Sequence, residues 1–391
     1  MRFRHPDGTV VHLAYCTNVH PAGDLAGIVA QLDRYAVPVR ERLAADRLGL
    51  GLWLPQPVAT ALAQDPSAVT GLRAELHARG LEAVTLNGFP YRDFHAPVVK
   101  RDVYLPDWSH PARLDHTLDL AVILSGLLPD TAARGSVSTL PLGWRTWWTP
   151  ERAASAAARL DELGASLARL ARSRGRAVRV GFEPEPGCVV ERSEEAVRHL
   201  AGLDTSVLGV CLDTCHTAVA FEEPAEVLAR YARAGLPVVK VQASSALHAP
   251  DPADPAAAEA LAAFAEPRFL HQTREAVPDG VPLGCDDLDE ALRPGRLPGR
   301  APWRVHFHVP LHAEPAPPLR STAPVLDAAL AELFGGERAA ADHVEVETYT
   351  WSVLPEDRRP DTPEALADGI AAELGWARRR LVHHGLKELP G

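Results

Sequence analysis

The 391-residue chain is 46% hydrophobic and 23% charged, with 28 glycines and 35 prolines spread along it, which excludes a disordered chain and fits a globular α/β protein with a large core. Forty Lys and Arg against 51 Asp and Glu leave a formal charge of -11, so the surface as a whole repels phosphate backbones and no nucleic-acid partner is expected. The opening MRFRHPDGTVVHLAY lacks the apolar core of a signal peptide, and no later stretch approaches the ~18 apolar residues of a membrane span, so a cytoplasmic protein without a membrane segment is expected.

Apolar, β-branched runs alternate with Ala- and Leu-rich stretches of helical period, the pattern of repeated βα units around a parallel sheet. In chain order the strands are VVHLAYCTN from Val10, LGLGLWLP from Leu48, LEAVTLNGF from Leu81, GSVSTLPLG from Gly135, AVRVGFEPEP from Ala177, VLGVCLDT from Val207, PVVKVQAS from Pro237 and HVEVETYTW from His343. Eight such units predict a single (β/α)8 barrel spanning 1–391. A ninth run, WRVHFHVP from Trp303, reads as part of a long loop. Thr149-Pro150-Glu151 and Thr362-Pro363-Glu364 each place Thr at an N-cap and Pro at the first helical position. Behind them, Leu160, Leu163, Leu167 and Leu170, and Leu366, Ile370, Leu374 and Leu381, form stripes suited to packing on a sheet. Residues 244–300, rich in Ala, Pro and Asp with one short helix, read as an insertion after strand seven that overhangs the site. The stretches 91–110 and 143–148 extend two other strand ends with aromatic rings.

Five cysteines (16, 188, 211, 215 and 285) at irregular spacing argue for free thiols in a reducing compartment. Cys211 and Cys215 have no second pair to complete a zinc site and read as small core residues.

Polar residues at the C-terminal ends of parallel barrel strands converge above the core. Strand five ends in Glu183 and Glu185, strand six in Asp213 with His216 three residues on, strand seven in Gln242, and strand eight in Glu345 and Glu347; His306 and His308 alternate on the ninth run. Pro184 and Pro186 start a loop just past Glu183, which favours Glu183 as a ligand, and Glu347 lies nearer the top than Glu345. Several carboxylates in one dry cavity repel, and a divalent cation held by oxygen and imidazole ligands resolves this. His20, Asn87, Thr139 and Trp144 are further candidates for substrate contact. Lys240, one layer below Gln242, needs a carboxylate from a neighbouring strand.

Together, CTNVHPAG (16–23), VYLPDW (103–108), EPEPGC (183–188), CLDTCH (211–216) and HFHVP (306–310) resemble the metabolite-traffic protein EboE family, within the xylose-isomerase-like TIM-barrel superfamily of sugar phosphate isomerases and epimerases. The superfamily resemblance implies a metal site with Glu183 from strand five, Asp213 and His216 from strand six, and Glu347 from strand eight. Gln242 stands where the sugar isomerases commonly place His. His306-Phe307-His308 resembles the second-metal motif of the endonuclease branch, but Asn87 or Thr139 replaces two further histidines there, which argues against a phosphodiesterase acting on DNA.

The expected activity is metal-dependent isomerisation or epimerisation of a polyhydroxylated or prenyl-type metabolite. Glu183, Asp213, Gln242 and Glu347 hold the ion, Glu183 or Glu347 abstracts a proton, and His216, His20, Asn87, Trp144 and Lys240 contact substrate. His306 and His308 take a second ion or a phosphate, and either ion is Mn, Zn, Mg, Co or Fe. The alternatives are a non-catalytic carrier serving an export pathway, with partners there, and a two-metal hydrolase.

Overall fold

The computed structural model describes residues 1–278 and 280–390. The eight expected runs form eight strands: Val10–Cys16, Leu48–Trp53, Leu81–Asn87, Gly135–Thr139, Val178–Phe182, Leu208–Asp213, Val238–Ala243 and His343–Val346. Each pairs in parallel with the next, and the sheet closes because His343–Val346 pairs with both Val238–Ala243 and Val10–Cys16. Two short strands were not anticipated: Arg2–Arg4 lies antiparallel to the start of the first barrel strand, and Lys387–Glu388 lies beside it.

The helices begin where their caps place them. Thr149 Oγ1 accepts the Arg152 N–H and Thr362 Oγ1 the Ala365 N–H, while Pro150 and Pro363 have no N–H to leave unsatisfied. The helix Pro150–Arg174 stops at Gly175, whose φ of 73° is left-handed and free of strain only for glycine. Leu160, Leu163, Leu167, Ile370, Leu374 and Leu381 are buried in the main core, with Leu170 and Leu366 packed at its edge.

Inside the barrel the layer below the site is polar. Lys240 and Glu345 form a fully buried ion pair between the seventh and eighth strands. Gly51 makes room for it, since a Cβ there would overlap the Glu345 carboxyl. Beneath, His343 Nδ1 meets Ser136 Oγ at 2.7 Å, and Ser136 Oγ donates to Thr85 Oγ1 at 2.9 Å.

The segment after strand seven differs from the expected loop in extent and content. It folds as a five-stranded antiparallel sheet in the order Leu283–Cys285, Thr273–Glu275, Trp303–Val305, Leu247–Ala249, Arg320–Ser321, with helices Pro255–Ala262 and Leu288–Ala291. The insertion therefore runs to Ser321, past residue 300, and the ninth run contributes its middle strand. A separate apolar cluster that includes Leu247, Leu261, Trp303, Val305 and Phe307 holds this sheet together.

Candidate metal centre

Strand five stops at Phe182, and Glu183 follows directly with its N–H still bound to the Thr139 carbonyl. Asp213 closes strand six and caps the helix Thr214–Val219; its Oδ1 accepts from His216 N and Ser244 Oγ, both at 2.8 Å. Glu347 lies one residue beyond strand eight, where its Oε1 accepts from Asn18 Nδ2 at 2.7 Å and Asn87 Nδ2 at 2.8 Å. One carboxyl oxygen from each of Glu183, Asp213 and Glu347 falls within 4.8 Å of the other two.

These acids are buried together, which disfavours their charged forms. Burial first, then Glu347, pushes the Glu183 carboxyl well above its ordinary range, and burial with Asp213 pushes Glu347 up to about 8. Among the described residues, Glu183 Oε2, Asp213 Oδ2 and both amide atoms of Gln242 lack hydrogen-bond partners, and Gln242 pairs in register with Asp213. His308 donates from Nδ1 to the Glu347 carbonyl at 2.7 Å, which leaves its Nε2 unpartnered 3.9 Å from Asp213 Oδ2. Buried polar atoms without partners are costly and rare. An oxygen-rich set of such atoms with one imidazole fits a divalent cation.

A second cluster adjoins the first. His216 donates from Nδ1 to the Pro184 carbonyl at 2.9 Å. His306 donates from Nδ1 to Gln272 Oε1 at 2.7 Å, and the Gln272 amide is oriented by its own bonds to Tyr104 OH and the Pro186 carbonyl, both 2.8 Å. The two Nε2 atoms then face each other at 3.0 Å, and His216 Nε2 is also 3.0 Å from Glu185 Oε2. Two neutral rings fixed in that tautomer would oppose lone pair to lone pair, so a proton or a cation belongs between them. Burial opposes charge on His216, but Asp213 and Glu185 override it and raise its pKa well above the usual value. His306 is pushed well below, by burial and by His216. Cys215, read from sequence as a plain core residue, places Sγ within 4.8 Å of ring nitrogens of His306 and His308.

Of the other expected contacts, Asn87 holds Glu347, while Thr139 is buried with an unpartnered Oγ1. Three lie away from the cleft. His20 stacks on Tyr35 at 4.1 Å between ring centres beside a separate small cavity. Trp144 is buried under Tyr104 at 4.7 Å. Lys240 is sealed against Glu345 and does not line the cleft. Sequence reasoning missed Asn18, Tyr104 and Gln272 and set Glu185 aside; Tyr104 donates to Glu185 Oε1 at 2.8 Å.

The xylose isomerase-like TIM barrel family model matches residues 45–260, more than half of the chain. No curated protein matches the sequence. Among solved structures, the D-allulose 3-epimerase of Methylomonas sp. is 13% identical, with a TM-score of 0.50 over 97% of this chain and 100% of that one. A xylose isomerase domain protein of Alicyclobacillus acidocaldarius is 18% identical, with a TM-score of 0.49 over 95% and 99%. A xylose isomerase-like protein of Mycobacterium smegmatis, solved with magnesium, is 14% identical, with a TM-score of 0.48 over 97% and 94%. The family model, matched over more than half of the chain, decides the identity: this chain belongs to the xylose isomerase-like TIM barrel family.

Proposed function

We propose that this protein is a divalent-metal-dependent isomerase or epimerase of a small metabolite, with the ion held by Glu183, Asp213, Gln242 and Glu347. The observation that carries this reading is the set of three mutually close, buried carboxyls, of which Glu183 Oε2 and Asp213 Oδ2 lack a hydrogen-bond partner among the described residues, while Lys240 is committed to Glu345. A bound divalent ion supplies Lewis acidity toward adjacent substrate oxygens. Glu347, fixed by two amide donors on one oxygen, serves as a positioned ligand, whereas Glu183 keeps Oε2 free to take a proton from the carbon next to the carbonyl and return it. His308 Nε2 is close enough to add an imidazole ligand, and a second ion on Glu185, His216 and His306 would belong to the hydrolase reading. The identity of the metal among Mn, Zn, Mg, Co and Fe is left to measurement.

Within the family we place the chain in the EboE branch on its CTNVHPAG, EPEPGC and CLDTCH segments, and with it a role in metabolite traffic, in the cytoplasm, with partners in an export pathway. A second reading, a metabolite carrier without turnover, is favoured by Gln242, a weaker ligand than His. Metal content per chain, measured by mass spectrometry on protein purified without a metal column, tests these readings against Glu183→Ala and Asp213→Ala. One ion lost in both variants supports the isomerase site, and two ions move weight to metal-dependent hydrolysis. No ion even after addition of Mn or Zn supports the carrier.

A further inference from the structure

The floor of the cleft is acid and imidazole, but its walls are not. Three loops converge above the centre: Phe89, Phe94 and Val99 from the loop after strand three, Phe269 and Leu270 from the insertion, and Tyr349 from the loop after strand eight. The rings pack on one another, with centres 5.2 Å apart for Phe94 and Phe269, 5.3 Å for Phe94 and Tyr349, and 4.9 Å for Phe269 and Tyr349; Tyr349 also contacts His308 at 4.7 Å. The wall is anchored from behind, because the buried Arg113 donates to the carbonyls of Gly88 and Phe89 at 2.9 Å.

Two polar groups of this wall, on Lys100 and Tyr104, are already in use. Lys100, the one lysine or arginine among the described lining residues, holds Asp287 and donates to the Glu266 carbonyl at 3.1 Å, so its charge is already paired. The Tyr104 hydroxyl donates to Glu185 and accepts from Gln272.

The magnitudes discriminate between ligand classes. Each hydroxyl of a polyol buried against such a wall without a partner costs about 1–3 kcal/mol. A flat apolar body there gains about 25 cal/mol per Å² removed from water, plus ~1 kcal/mol for each ring contact. We infer that the substrate is a compact, flat, unsaturated molecule that presents two adjacent oxygens, a hydroxy-carbonyl edge, to the metal floor and an uncharged apolar body to the aromatic wall, and is neither an open sugar nor a sugar phosphate. This rests on the metal-centre reading above, which supplies the floor for the two oxygens.

The test uses 4-methylcatechol, a planar mimic of the enediol form of such an edge, with D-fructose 6-phosphate as the sugar-phosphate probe and 4-methylanisole as an apolar body without the paired oxygens. Binding is followed by calorimetry on zinc-loaded, desalted full-length protein whose metal content is measured on the same sample. The expected result is that 4-methylcatechol binds at least about tenfold more tightly than the sugar phosphate. Phe94→Leu and Phe269→Ala should each weaken it by about tenfold or more with the metal content unchanged; Phe94→Leu keeps apolar volume should Phe269→Ala fail to fold. Tighter binding of the sugar phosphate to metal-loaded protein overturns the inference and leaves the metal centre standing. If the protein holds no metal yet 4-methylanisole binds and the Phe94→Leu variant weakens it, the metal reading falls while the apolar substrate body survives. Failure of both aromatic probes to bind overturns the inference.

Discussion

Replacing Asp213 by Asn should stabilise the metal-free protein while abolishing metal binding. The Asn side chain keeps an oxygen to accept from His216 N and Ser244 Oγ, so the helix cap survives and only the charge is lost. Glu347 is held at about 8 against an ordinary 4.5, and at ~1.4 kcal/mol per pH unit this costs folding about 3 kcal/mol at pH 7. After burial, Asp213 is the largest contributor to that shift. Unit charges 4.8 Å apart in an effective dielectric of ~20 already interact by about 3.5 kcal/mol, so the recovery is limited by the folding cost itself, about 3 kcal/mol. A gain on the order of 1–3 kcal/mol, or roughly 1–4 °C in melting temperature for a chain of 391 residues, is expected in EDTA. The variant should also show no rise in melting temperature on addition of Mn or Zn. Differential scanning calorimetry reads both effects, and an Asp213→Asn protein that melts lower than wild type in EDTA while still responding to metal would refute the reasoning.

Three further outcomes follow from the same geometry. Glu347 has its pKa raised in the fold, so the metal-free protein is most stable below about pH 4.5 with respect to this group and loses that contribution as pH rises toward about 8; a bound cation prefers the ionised form, so the melting-temperature rise caused by Mn should grow from about pH 5.5 to 8.5, and a rise that shrinks over that range contradicts the site. Lys240→Met leaves Glu345 buried and unpaired and should cost about 3–5 kcal/mol in urea unfolding, while the Lys240→Met, Glu345→Leu double variant should recover most of it. Gln242→His should tighten metal binding by about tenfold, ~1.4 kcal/mol, in competition with a chelator, and an unchanged affinity would remove Gln242 from the ligand set.

The barrel was legible because its strands are buried on both faces and so read as short apolar runs such as LGLGLW. Glu183, Asp213 and Glu347 were legible for a related reason: an acid at the end of such a run has no solvent to face. The insertion sheet was not, since strands of two or three residues such as Arg320–Ser321 are too short to display a period of two. Trp144 misled because an aromatic run in a loop reads as exposed, whereas its bridge to Cys188 turns the ring under Tyr104. Glu185 was set aside because alternation along the strand does not reveal that the Pro184–Pro186 turn brings it to His216 and Tyr104.

Charge balance joins the two clusters into one centre. Glu345 is neutralised by Lys240, and Glu185 is matched by a His216 whose pKa is raised. That leaves Glu183, Asp213 and Glu347, of which Glu183 and Glu347 are driven toward their neutral acids by burial. On the proposed mechanism, a cation held by these residues would displace protons from the groups whose pKa values are raised, Glu183, Glu347 and, at the second cluster, His216. Such an ion would then free the carboxylate proposed as the base, which burial otherwise drives toward its acid form. The enthalpy of metal binding should accordingly vary with the ionisation enthalpy of the buffer, with a slope equal to the number of protons released.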